Sequence, residues 1–198
     1  ILVDNSSDYS KGMVQYFKEA FIKGGGKIVA EEAYLQKDTD FKAILTKVKA
    51  YNPDLYYLPG YYEEVGKIIK QARELGITTT FLGGDAWDSP QLVAIAGPEA
   101  LNNTHFTNFY SVEDKNPRSQ AFVAAYQKEY GQMPDSMSAM GYDAAYLLVD
   151  AIKRANSTDP KKIRDALEQT RNFNSLSGEM SLSPTHDAIR SAVIIEMI

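Results

Sequence analysis

Short apolar runs alternate with stretches of helical periodicity over the first 110 residues, and no other feature of the chain restricts its fold as strongly. The pattern predicts strands at 1–4, 27–34, 54–58, 79–83 and 104–110, with helices at 9–23, 39–51, 61–75 and 88–96 between them. A series of this βα type gives a mostly parallel sheet with right-handed crossovers. Tyr56 and Tyr57, adjacent in a strand, must then face opposite helical layers. The run Gly24, Gly25 and Gly26 follows a helix instead of preceding one. That position calls for a C-terminal cap, whereas a phosphate-binding loop opens a helix.

The alternation stops after Tyr110. Helices are predicted at 117–130, 135–155 and 160–170, with Pro117 and Pro160 suited to early helical positions and Asp159 to an N-cap. Two strands, 178–183 and 191–198, follow, joined by the turn 184–190. Three helices with no strands between them lack a sheet to cover. Apolar positions such as Phe122, Tyr126, Tyr146, Leu147 and Ile163 are therefore expected to lack cover and to be hidden by self-association, by a partner chain or by domain exchange. The reading divides the chain into a nearly complete lobe at 1–110, a helical part of another lobe at 111–190 and a final strand at 191–198. The opening residues ILVDNSS read as a strand already under way, so the natural chain is expected to begin earlier.

Composition excludes several classes of function. A formal charge of −5 offers no basic field for nucleic acid or anionic membranes. No apolar run approaches the roughly 18 residues that read as a membrane span. Zero cysteines removes disulfides, thiol catalysis and cysteine-ligated zinc together. His105 and His186 have no metal-ligand spacing, and no G-x-S-x-G nucleophile elbow occurs. Asp4 ends the first strand without the rest of a phosphoacceptor pocket, and DNSSDYSKG (4–12) lacks the glycine spacing and the lysine-then-hydroxyl ending of a P-loop. No enzyme, cofactor or metal is expected.

What remains is the carboxyl edge of the sheet, where ligands bind in open α/β folds. Strand 54–58 opens into Gly60, Tyr61 and Tyr62, and strand 79–83 into Gly84, Asp85 and Trp87. The first strand opens into Ser6, Ser7 and Tyr9 at the same edge. Tyr61 is read as a ligand contact and Tyr62 as a packing residue. Asp85, beside Tyr61, supplies a carboxylate suited to an ammonium group, within an aromatic setting that offers apolar area.

Over essentially its whole length the chain resembles the type I periplasmic binding proteins, in particular the leucine/isoleucine/valine-binding receptors of ABC transporters. The resemblance rests on ILVDNSSDYSKG (1–12), YYLPGYYEEVGKIIKQARELGI (56–77), FLGGDAWDSP (81–90), MGYDAAYLLVDAI (140–152) and HDAIRSAVIIEMI (186–198). It implies a flavodoxin-like parallel-sheet lobe plus part of a second lobe, with an amino acid bound between lobes and no chemistry performed on it. It further implies that Tyr9 and Tyr61 flank the ligand, that Asp85 receives its α-ammonium, and that Trp87 either adds an aromatic wall or pins the following helix; Ser7, from its place at the strand end, is read as lining the same crevice. Many of the family carry glutamate where Asp85 stands, so the acid here has a shorter reach. The implied partner is an ABC permease and the implied location extracytoplasmic. Two rival readings keep an α/β domain: a ligand-sensing domain of a receptor or regulator, and a flavodoxin-like enzyme.

Overall fold

The computed structural model describes residues 1–198, which fall into two units, Ile1–Thr107 with Ile194–Ile198, and Asn108–Val193. The first unit follows the predicted alternation: β1 (Leu2–Asp4), α1 (Asp8–Lys23), β2 (Glu32–Tyr34), α2 (Lys42–Lys49), β3 (Leu55–Tyr57), α3 (Tyr62–Glu74) and β4 (Thr80–Gly83). A 3-10 turn at Asp85–Trp87 leads to α4 (Pro90–Ala96), α5 (Pro98–Leu101) and β5 (Thr104–Asn108). β1 pairs in parallel with β2, and β3, β4 and β5 pair in parallel in that order. The expected strand 27–34 contracts to its last three residues, and the expected helix 39–51 loses a few residues at each end.

The core of this unit shows why these segments form these elements. On α3, Val65, Ile68, Ile69 and Ala72 recur at helical spacing and are all fully buried. Glu63 and Glu64 occupy the first turn of that helix and Arg73 the last, each complementing the helix dipole. Arg73 goes further and donates to the carbonyls of Ile77, Thr79, Ala100 and Asn102, gathering the loops that precede β4 and β5. Tyr56 stacks on Phe81 at 4.9 Å in the main core. Tyr57 stacks on Phe17 at 3.8 Å in a separate cluster with Val3 and Val14, so the two neighbours do serve opposite faces. The glycine run is the C-terminal cap of α1: the Gly24 N–H donates to Ala20 O, and Gly25 takes a positive φ of 89°.

The second unit holds α6 (Pro117–Tyr130), α7 (Ser136–Ala155) and α8 (Pro160–Glu168), followed by β6 (Phe173–Ser175), β7 (Gly178–Leu182) and β8 (Ala188–Ile189). Asn116, Asp135 and Asp159 cap the three helices with side-chain oxygens. Two expectations are corrected here. β7 pairs antiparallel with β6 and β8, whereas the final strand β9 (Val193–Met197) lies beside β5 in the sheet of the first unit. The predicted hairpin between 178–183 and 191–198 therefore does not form: the turn after β7 feeds the two-residue β8, and Ile195 and Met197 pack against the first unit's core. The helices are also not wholly without cover, since Tyr110, Phe122, Val123, Ala139 and Leu176 make a small buried core. Phe122 is buried in it, while Tyr146, Leu148 and Val149 of α7 stay roughly half exposed. Asp143 of α7 accepts the Leu176 N–H at 2.9 and 3.1 Å, tying the turn after β6 to the helix.

Candidate functional site

The carboxyl edge of the first unit gathers three of the predicted residues. Ser7 caps α1 by accepting the Ser10 N–H at 3.2 Å, which places Tyr9 in the first turn of the helix above β1. Tyr61 holds the N-cap position of α3 with extended backbone and makes no side-chain cap bond. Asp85 opens the 3-10 turn after β4. The Tyr9 hydroxyl donates to Asp85 Oδ1 at 2.8 Å, and the Tyr9 and Tyr61 rings lie 5.4 Å apart at 36°. Tyr61 is 40 % exposed.

The Asp85 carboxylate acts on two neighbouring phenols at this edge. Burial raises the Tyr9 phenol well above the usual tyrosine range, and the Asp85 charge and the hydrogen bond to it push further the same way. Tyr57 beneath is pushed up to about 12, chiefly by burial and then by Asp85. Both phenols therefore keep their protons at any physiological pH. Asp85 Oδ1 is taken by Tyr9, and its other oxygen has no protein hydrogen-bond partner. A carboxylate with one oxygen held and one open, walled by tyrosine rings, is chemically suited to a small cation such as an ammonium group.

Two glycines make this arrangement possible. A Cβ on Gly84 would run into the Tyr9 hydroxyl and the Met13 methyl, and one on Gly83 would strike the Trp87 indole. Only glycine lets the β4 end approach these rings so closely.

Two expected site residues turn out otherwise. Trp87 does not form an aromatic wall: it is 1 % exposed, tilts against Phe106 and donates Nε1–H to Leu58 O at 3.1 Å. Its large apolar body finds more area beneath the edge than above it, and the buried carbonyl satisfies its one polar atom. Ser7 is buried, with its hydroxyl spent on the helix cap. Tyr62 packs against the core as expected. Asp4 is a loop anchor, its Oδ1 accepting from the Ser6 N–H at 2.9 Å and the Ser6 hydroxyl at 2.5 Å. The direct link between Tyr9 and Asp85 escaped the sequence reading, which paired Asp85 with Tyr61. The glycine immediately before Asp85 was the only local sign of a close approach.

A family model described as periplasmic binding protein matches residues 1–198. The chain belongs to that family. Leu/Ile/Val-binding protein BraC3 of Rhizobium johnstonii is 29 % identical across 94 % of this chain and 50 % of its own length. Leu/Ile/Val-binding protein homolog 1 of Brucella melitensis is 27 % identical across 94 % of this chain and 49 % of its own. The chain thus spans about half the length of the curated relatives it matches. Among solved structures, the leucine binding protein LivK of Thermotoga maritima is 40 % identical with a TM-score of 0.91, covering 98 % of this chain and 55 % of that one. The branched-chain amino acid transporter substrate binding protein LivJ of Streptococcus pneumoniae, solved in complex with isoleucine, is 34 % identical with a TM-score of 0.89, covering 99 % and 55 %. The parallel α/β fold of this periplasmic binding protein is that of these structures.

Proposed function

We propose that this chain is the ammonium-recognising part of an extracytoplasmic solute receptor that delivers a branched-chain amino acid to an ABC permease. The observation that carries the reading is the Asp85 carboxylate, held on one side by Tyr9 and open on the other, on the carboxyl edge of a parallel sheet. The relatives named for leucine, isoleucine and valine support the ligand class. No bond is made or broken in this reading: Asp85 supplies charge recognition, and the rings of Tyr9 and Tyr61 exclude water and so strengthen it. No helix of the chain is long and apolar enough to cross a membrane. Calorimetry of the complete gene product with leucine, isoleucine and valine tests the proposal, expecting saturable binding of at least one. Absence of binding to all three, or tighter binding of their deaminated analogues, would overturn it.

The aromatic contribution has its own test. Tyr61→Ala is expected to leave the melting temperature within about 2 °C, since the ring is exposed, while weakening leucine binding by roughly tenfold through lost apolar contact. Tyr61→Phe should retain most of the affinity. If Tyr61→Ala instead unfolds the unit and Tyr61→Phe binds as the parent does, the ring belongs to the core.

The 198-residue chain on its own is expected to self-associate through the exposed apolar side chains of α7, among them Met137, Tyr146, Leu148 and Val149. Light scattering over a tenfold concentration range should show mass rising with concentration. A monomer throughout would sink the expectation.

A further inference from the structure

The Tyr9 hydroxyl has its one proton committed without any ligand: it donates to Asp85 Oδ1 at 2.8 Å and accepts from the Ala86 N–H at 3.5 Å. A phenolic oxygen has one proton to give, and here it is given. Tyr9 can therefore offer a ligand its ring face but not its donor. The hydroxyl also spans a long separation in sequence, joining the first turn of α1 to the turn after β4. Gly84 keeps the space for it open, because a side chain there would occupy the position of the phenolic oxygen.

We propose that Tyr9 is a positioning residue for ammonium recognition: through its hydroxyl it fixes the Asp85 carboxylate in the rotamer that presents one oxygen to the ligand, and Gly84 is the clearance that permits it. The proposal rests on the reading of Asp85 as the ammonium's partner. Its physical content is preorganisation. An aspartate has only one methylene between backbone and carboxyl, so it cannot swing far to meet a ligand, and an unpinned one loses rotamer freedom when it binds. A neutral phenol donor pins it while leaving its charge intact, and burial keeps that phenol protonated.

The roles separate in a double-mutant cycle on the complete gene product, with L-leucine and its deaminated analogue 4-methylpentanoate as probes. Tyr9→Phe keeps the ring beside Tyr61 and removes only the hydroxyl. It is expected to weaken leucine binding about fivefold to tenfold and to leave 4-methylpentanoate binding unchanged. In an Asp85→Ala background the same substitution should have less than a twofold effect on leucine. Gly84→Ala, at a φ of −115° that alanine adopts freely, should reproduce the selective loss by displacing the hydroxyl. Equal losses from Tyr9→Phe in the parent and in the Asp85→Ala background would overturn the proposal, as would no loss in either, or equal losses for both probes. If Asp85→Ala alone leaves leucine binding intact, the ammonium assignment itself has failed, an outcome distinct from failure of the positioning role.

Discussion

Asp85→Asn in the complete gene product is expected to lower affinity for leucine at least tenfold while leaving the melting temperature nearly unchanged. The substitution keeps the size of the side chain and an oxygen that Tyr9 can still donate to. What it removes is the charge that meets an ammonium, and charge-assisted hydrogen bonds contribute about 1.5–3 kcal/mol, roughly tenfold to a hundredfold in affinity. The loss should be larger than that from Tyr61→Ala, because the walls strengthen the charge interaction without replacing it. Unchanged affinity by calorimetry would mean that the open oxygen of Asp85 is not where the amino group docks.

Trp87→Ala is expected to destabilise the first unit by about 3–5 kcal/mol, a larger stability effect than any of the site substitutions above. Trp87 is a large side chain that is 1 % exposed, packed against Phe106 and covered by the Gly83 backbone. Truncation leaves a cavity under the binding edge and removes one of two donors to the Leu58 carbonyl, the Gly60 N–H remaining. Chemical denaturation followed by circular dichroism reads the loss directly. Should the alanine variant fail to fold, Trp87→Phe keeps most of the volume and should still cost about 0.5–1.5 kcal/mol through the lost indole hydrogen bond. A variant as stable as the parent in both cases would show that the indole is not part of the core that holds β3 and β4 together.

Trp87 also marks the limit of the sequence reading. From the sequence, an aromatic two residues past Asp85 at a strand end is as good a wall as Tyr61, and nothing local separates them. The structure divides them by depth: the 3-10 turn directs one ring under the edge, while the N-cap position of α3 leaves the other in the open. Ser7 shows the same ambiguity in a smaller residue, since a serine at a strand-to-helix junction suits a ligand and a helix cap equally well. Strand partners were harder still. The segments 178–183 and 191–198 looked like two arms of one hairpin, yet β7 and β9 belong to different sheets.

The sequence by itself determined the elements whose signals are local. Helix periodicity and capping residues placed α6 at Pro117–Tyr130 and α7 and α8 within a residue or two, because an N-cap and an apolar stripe act within a few turns of the chain. The alternation of strand and helix likewise determined the parallel fold and put Tyr9, Tyr61 and Asp85 at one edge, since crossovers in such a sheet deliver every strand end to the same side. Only the tertiary structure decided which of these residues touch. The Tyr9 hydroxyl and Asp85 stand 76 positions apart, and their contact depends on how closely α1 settles against the end of β4, a distance fixed by packing of Met13 and Tyr9 over a glycine. Local propensity carries no information about such a distance, because it arises from the summed packing of side chains far apart in the chain.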